Sequence, residues 1–287
     1  MDNIKYKIQL NESFDLVIIG NMTKDYLNTC SDFQLGGPSL YAGIAASKLG
    51  LKTLIISNHT INKNYFDKFP LLNILSLSVN SDTEFVINYI NNQRKLVLKN
   101  KASNIILNLD NKIKTKMLML APVLDEFELS IKDYFEYDLS SLCVQGFLRK
   151  NVNQGMIELI EGKYCLNYQG INIINCSSEE ISKLCNENLF SNFVKYISVT
   201  YGRDGSALID KYNNVTKYKN YNSKLLTDPT GAGDVFALYM LVFYYRTNNI
   251  NYAVEIANCA ASFVVEGFGI SSIPDLNSVE KRLNEQK

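Results

Sequence analysis

Tryptophan is absent from this 287-residue chain, and histidine occurs once, at His59. A single histidine excludes a multi-histidine metal centre and gives a Ser-His-Asp triad little to build on. Charge of either sign is not in excess: 29 Lys+Arg face 29 Asp+Glu. That balance excludes the uniformly basic surface of a non-specific nucleic-acid binder. No two of the six cysteines (30, 143, 165, 176, 185, 259) are spaced C-x-x-C, so zinc-ribbon and thioredoxin chemistry are not indicated. Dispersed cysteines predict buried, reduced thiols. Long apolar runs are missing too. The longest, VFALYMLVFYY (235–245), falls short of the ~20 residues of a membrane helix, and MDNIKYKIQLNESFD has no apolar leader core. The expectation is a soluble cytoplasmic protein whose acid–base chemistry falls to carboxylates.

Asparagine makes up about one residue in eight. It is spread through periodic segments without forming a tract, which points to base composition and not to a disordered region. Apolar runs of strand length recur at 14–20, 52–57, 117–121, 140–146, 171–176 and 196–200. Segments of helical period at 39–50, 123–135 and 178–189 lie between them. This alternation predicts one α/β domain over 1–287, with a mostly parallel sheet covered on both faces. TEFVINYINNQRKLVLKNKA (83–102) breaks the pattern and reads as a hairpin turning at Asn91-Asn92, either an edge ribbon or a flap.

Neither G-x-G-x-x-G nor G-x-x-x-x-G-K-[ST] occurs, so phosphate, if bound, is cradled elsewhere. LTDPTGAGDVFALYMLVFYY (226–245) supplies a candidate. Gly231, Ala232 and Gly233 precede a long apolar segment, where helix-start N–H groups and the helix dipole can hold an anion. Asp234 follows within the first turn and could accept the proton of an attacking hydroxyl. Taken without its spacing, the same stretch is a tight turn with a helix-start carboxylate.

The spacing carries a resemblance. DPTGAGD (228–234) resembles the D-x-T-G-A-G-D signature of the ribokinase-like (PfkB) carbohydrate kinases. LGGPSLYAGIAASKLGL (35–51), SVTYGRDGSALI (198–209) and ANCAASFVVEGFGISSIP (257–274) resemble that family's di-glycine, nucleotide and C-terminal segments, in the family's order. The resemblance implies a three-layer α/β sandwich with a small β-sheet lid, its strands at about 26–37 and 83–102. It implies ATP and magnesium as cofactors, Asp234 as general base, and the amides of Gly231, Ala232 and Gly233 as the anion hole. It places Asp25, Gly36 and Gly37 against the acceptor and Thr200, Gly202, Gly205 and Asn258 along the nucleotide. A potassium ion beside Asp228 and Thr230 fits the same pattern, as does a homodimer joined through the lid. The partner implied is a small sugar, polyol or nucleoside, not nucleic acid or a membrane.

Three positions depart from the family pattern. Ser177 replaces the Asn of N-x-x-E, although Glu180, the residue implied in organising magnesium, is kept. Thr23 and Tyr41 stand where many sugar kinases have Asn. A tyrosine there either stacks on an acceptor ring or fills the pocket floor. CVQGFLRK (143–150) resembles an archaeal and plant branch that includes myo-inositol kinases, and its Arg149 either reaches a phosphate or lies on the surface. Competing expectations are a phosphofructokinase-like enzyme, using Arg94, Lys95 and Lys99, and a catalytically silent ligand-binding homologue.

Overall fold

The computed structural model describes residues 13–27, 31–77, 80–90, 93–161, 165–185 and 193–286. Along the chain, β1 (Phe14–Ile19) leads to β2 (Thr23–Leu27), β3 (Phe33–Gly36) and α1 (Pro38–Lys48). Then come β4 (Thr53–Ser57), β5 (Leu72–Ser76), the hairpin β6 (Thr83–Ile90) and β7 (Gln93–Asn100), and β8 (Ile113–Leu120). The two-residue β9 (Phe135–Glu136), β10 (Leu139–Cys143), α2 (Gln145–Leu148), β11 (Arg149–Asn151) and β12 (Ile157–Leu159) follow. The last part holds β13 (Ile173–Ser177), α3 (Ser178–Ile181), β14 (Tyr196–Thr200), β15 (Ser206–Asp210) and β16 (Val215–Tyr218). Three helices close the fold: α4 (Ala232–Thr247), α5 (Ile250–Val264) and α6 (Leu276–Glu285).

The large sheet runs β16-β15-β14-β13-β10-β8-β1-β4-β5, with β9 beside β8. It is parallel except at β15 and β16. Strand periodicity explains its two cores. Leu16 and Ile18 pack with α1, α4, α5 and α6, whereas Val17 and Ile19 pack on the opposite face. That sheet with a separate small one is the expected ribokinase-type architecture. Its second face is covered differently from expectation. Segment 123–135 is not an α-helix but a loop followed by a 3₁₀ turn at Leu129–Tyr134. The cause is Glu126, which is buried and turned inward. Its carboxylate accepts the N–H groups of Val123 (2.9 and 3.0 Å), Leu124 (2.8 Å) and Asn21 (2.8 Å). Burial pushes the Glu126 proton affinity up, and the backbone donors pull it part of the way back. Among the described residues, the helix expected at 178–189 is confined to Ser178–Ile181; positions 186–189 lie outside them.

The second sheet runs β3-β2-β6-β7, with β2 parallel to β6 and antiparallel pairs on either side. It therefore starts at Thr23, earlier than the expected 26, and this brings Thr23 and Asp25 onto a strand of the small sheet. The Asn91-Asn92 turn falls outside the described residues. Asp82 anchors this sheet to the exit of β4. It takes Lys24 Nζ at 2.5 Å and the Thr60 N–H at 2.8 Å, and the Thr60 hydroxyl also donates to it. His59 is buried nearby, its Nδ1 accepting the Ile61 N–H at 3.0 Å, and burial lowers its pKa.

Burial raises the Asp82 pKa, but the Lys24 and Thr60 hydrogen bonds outweigh it, and the net shift is downward. A carboxylate with a lowered folded-state pKa stabilises above its ordinary value and loses that contribution as pH falls through the folded value. Asp82→Asn is accordingly expected to cost about 1–3 kcal/mol at pH 7. Denaturant titrations at several pH values should find the gap between variant and wild type narrowing below pH ~4. A gap independent of pH would show that the charge of Asp82 contributes nothing to the anchor.

The cysteines require one correction. Cys165 and Cys185 form a disulfide, their Cα atoms 5.1 Å apart, where reduced thiols were expected. Their separation of 20 residues carries no pairing signal; the fold brings the segment before β13 against the one after α3. Cys143, Cys176 and Cys259 are buried free thiols, as expected, and Cys30 lies outside the described residues. No helix among the described residues is long and apolar enough to cross a membrane.

Candidate active site

The parallel strands converge with their carboxyl ends on one rim, where open α/β sheets bind ligands. Gln145 follows β10, Ser177 ends β13 and Thr200 ends β14, and all three face α4 across this rim. Gly231 caps α4 with φ 84°, a left-handed conformation that suits glycine. A Cβ there would lie 2.2–2.5 Å from the ring carbons of Tyr41. Tyr41 is thus a fully buried wall against the glycine turn, consistent with the pocket-filling alternative. Asp228 shapes the approach by accepting the N–H (3.0 Å) and hydroxyl (2.6 Å) of Thr230. The Ala232 N–H makes a turn bond to the Pro229 carbonyl at 3.3 Å.

Two cavities meet at this turn. One, of about 70 Å³, is lined by Thr23, Asp25, Gly37 and Tyr41 among the expected acceptor residues, with Thr230, Gly231 and Asp234. The other, of about 120 Å³, is lined by Ser177, Glu180, Thr200, Gly233 and Asp234, with Asn175, Cys143 and Cys176. Asp234 and Gln145 line both. Gln145 Nε2 donates to Asp234 Oδ1 at 3.3 Å, and Arg149 Nη2 donates to Gln145 Oε1 at 3.0 Å.

On the acceptor side, Gly36 is required locally, because a Cβ would fall 2.3 Å from Asp25 Oδ2 and 2.9 Å from Thr23 Oγ1. Gly37, at φ 94°, caps α1 with Pro38 at its first position, so backbone faces the cavity. Thr23 is 1% exposed, and its Oγ1 has no hydrogen-bond partner among the described residues. A buried hydroxyl without a partner is costly, and a ligand hydroxyl would satisfy it.

On the donor side, Ser177 and Glu180 form a capping box on α3. The Ser177 N–H donates to Glu180 Oε2 at 2.8 Å and the Glu180 N–H to Ser177 Oγ at 3.2 Å. The serine in place of the motif's asparagine therefore still caps the helix, and its backbone N–H holds the glutamate. Burial, reinforced by Asp234 and Glu180, pushes the Cys143 thiol well up; burial with Glu180 does the same to Cys176. Both stay protonated and are unsuited to nucleophilic work. Among the described residues no cluster of three His, Cys, Asp or Glu could cage a metal. One carboxylate beside a phosphate-sized cavity does suit magnesium, which keeps its waters and takes phosphate oxygens.

The remaining nucleotide expectations separate. Gly202 has open space around it. Gly205, at φ 90°, is demanded by a turn, since a Cβ would strike the Tyr218 carbonyl at 2.1 Å. Asn258 is buried, and its amide donates to Ser206 Oγ at 2.8 Å. Sequence reasoning missed Phe85, Leu96 and Val123, which line the acceptor cavity, and Gln145, which lines both. CVQGFLRK had marked the Gln145–Arg149 stretch without giving Gln145 a role.

Comparison with known proteins bears on the fold. Residues 161–276 match the family described as pfkB family carbohydrate kinase. No curated protein matches the chain. Among solved structures, a pyrophosphate-dependent kinase in the ribokinase family, complexed with a pyrophosphate analogue and myo-inositol, has a TM-score of 0.70. It shares 18% identity over 93% of this chain and 99% of its own. A nucleoside kinase of Methanocaldococcus jannaschii gives 0.70 at 18% identity, over 94% and 98%. Arabidopsis thaliana ribokinase, complexed with ribose and ATP, gives 0.68 at 16%, over 95% and 99%. The fold is thus that of the ribokinase-family kinases. The match to the pfkB description spans the DPTGAGD segment, in line with the resemblance seen in the sequence.

Proposed function

We propose that this chain phosphorylates a hydroxyl of a compact, uncharged polyol or sugar, with a cyclic polyol such as myo-inositol as the leading candidate. The observation that carries the reading is Asp234 standing at the junction of two cavities beside the Gly231–Gly233 turn. An acceptor in the Thr23–Asp25 cavity would present a hydroxyl to Asp234, which orients it and takes its proton as the O–P bond forms. Backbone at the start of α4 would hold the charge on the moving phosphoryl group. Magnesium carried by the donor phosphates would neutralise charge there, with Glu180 beside it. Phe85 and Leu96 from the lid would exclude water from the transfer.

The acceptor cavity is small, about 70 Å³, which supports a compact acceptor. Its described lining has one basic residue, Arg149, whereas a phosphorylated sugar would call for two or more; the Arg94 side chain lies outside the described residues. Lys99 is engaged within the lid, 3.1 Å from Glu84 and over the Tyr26 ring. The donor we assign is ATP. Pyrophosphate is the second reading, supported by the Asn258 amide being bound to Ser206 and by Gly202, Gly205 and Asn258 falling outside the donor cavity's described lining. A potassium ion beside Asp228 and Thr230 and a homodimer joined through the lid belong to the same proposal.

A matrix of the two donors against polyols, hexoses, hexose phosphates and nucleosides tests the reading. The expected result is turnover concentrated on unphosphorylated single rings. Preference for a hexose phosphate would overturn it. Thermal stabilisation by an acceptor without turnover on any donor would favour a ligand-binding homologue.

A further inference from the structure

The geometry points to Arg149 as a positioning residue that acts through Gln145 on Asp234. This rests on the kinase reading for what Asp234 does, but the arrangement is visible without it. Gln145 opens α2, and Arg149 follows four residues later, so the two side chains meet on one side of that single turn. Arg149 can only donate hydrogen bonds. Its Nη2 reaches Gln145 Oε1 at 3.0 Å, while Nη1 holds the Val123 carbonyl at 3.2 Å. The guanidinium therefore settles which way the Gln145 amide faces: the oxygen toward Arg149, and the NH₂ toward Asp234 Oδ1 at 3.3 Å. A flipped amide would set an N–H against the guanidinium and an oxygen against the carboxylate, and both contacts would be repulsive. The residue sharing both cavities with Asp234 is held in the orientation that suits an ionised base.

The anchor of this chain is firm at its far end. Val123 belongs to the loop whose N–H groups Glu126 binds, and its side chain packs with Phe85 of the lid. Arg149 also begins the β11–β12 hairpin, from which Met156 bridges to Val97 on β7. The guanidinium thus joins the lid's contact surface to the carboxylate at the cavity junction.

A residue acting this way governs the chemical step more than acceptor affinity. Arg149→Ala and Gln145→Met are each expected to lower kcat by about 10–100-fold with acceptor KM changed by less than about threefold. The double variant is expected to be no worse than the poorer single one, because both cut the same chain of contacts. Arg149→Lys, which keeps the charge but not the planar fork, should fall between wild type and Arg149→Ala, and it carries the kinetic test should the alanine variant not fold. Unchanged kcat, a raised KM at unchanged kcat, or losses that multiply in the double variant would each overturn the proposal. A readout independent of turnover is the side-chain ¹⁵N–¹H signal of Gln145, assigned by its loss in Gln145→Met. It should move in the lysine variant and further in the alanine variant. A signal indifferent to Arg149 overturns the proposal even if wild-type protein phosphorylates nothing, whereas absent turnover with a responsive signal overturns only the kinase reading.

Discussion

Asp234→Asn is expected to lower turnover by about 10²–10⁴-fold while donor binding stays close to wild type. The substitution is isosteric and keeps one oxygen able to accept the Gln145 amide, so the local fold has little reason to change. What disappears is the ability to take a proton from the attacking hydroxyl. Calorimetry with each donor should give near-unaltered affinity, since the donor cavity draws on Ser177, Glu180, Thr200 and Gly233 as well. Asp25→Asn provides the contrast. That side chain stands over Gly36 on the acceptor side, so its loss should raise acceptor KM more than it lowers kcat. Near-normal phosphorylation by the Asp234 variant would remove the residue from the chemistry and leave the site as a binding pocket.

Different kinds of signal explain what could be read in the sequence. The parallel strands were legible because residues buried on both faces make continuous apolar runs, and β1, β4 and β14 are of that kind. The turn before α4 was legible because its residues are contiguous: Gly231 needs a left-handed φ, and Asp234 stands in the first helical turn. The acceptor cavity was only half legible. Phe85 and Leu96 show strand alternation, which says that one face is covered without saying by what. Glu126 misled because a carboxylate in VLDEFELSIKDYF fits the polar side of an amphipathic helix. In the fold it turns inward to bind three backbone N–H groups, and the helix is lost. The disulfide was illegible for a related reason: spacing in the chain does not report proximity between loops.

These long-range placements cooperate at the cavity junction. Glu126 ties the loop after β1 to the loop after β8, which fixes Val123; Arg149 holds the Val123 carbonyl and Gln145; Gln145 holds Asp234. A short signature in the C-terminal third thus depends for its geometry on residues more than 80 positions upstream.

Gly231→Ala is expected to damage both the fold and the site, through two separable costs. At φ 84° an alanine takes on backbone strain of about 1–3 kcal/mol. Its Cβ would also meet the Tyr41 ring at 2.2–2.5 Å, and Tyr41, 2% exposed within α1, has nowhere to turn. Overpacking of this kind adds about 1–3 kcal/mol. If the clash is relieved by moving the start of α4, Asp234 moves with it, and a shift of ~1 Å is enough to cost about 10²-fold in turnover. Gly233→Ala separates fold from chemistry. Nothing lies within 4 Å of a Cβ at Gly233, and the position is already helical, so thermal stability should be unchanged or slightly higher. That methyl group would nevertheless enter the donor cavity that Gly233 lines, and turnover should fall by about tenfold or more. Thermal denaturation and steady-state kinetics on the two variants should therefore diverge: Gly231→Ala loses both stability and activity, Gly233→Ala activity alone. Full activity in Gly233→Ala would mean that the phosphoryl group does not pass this turn.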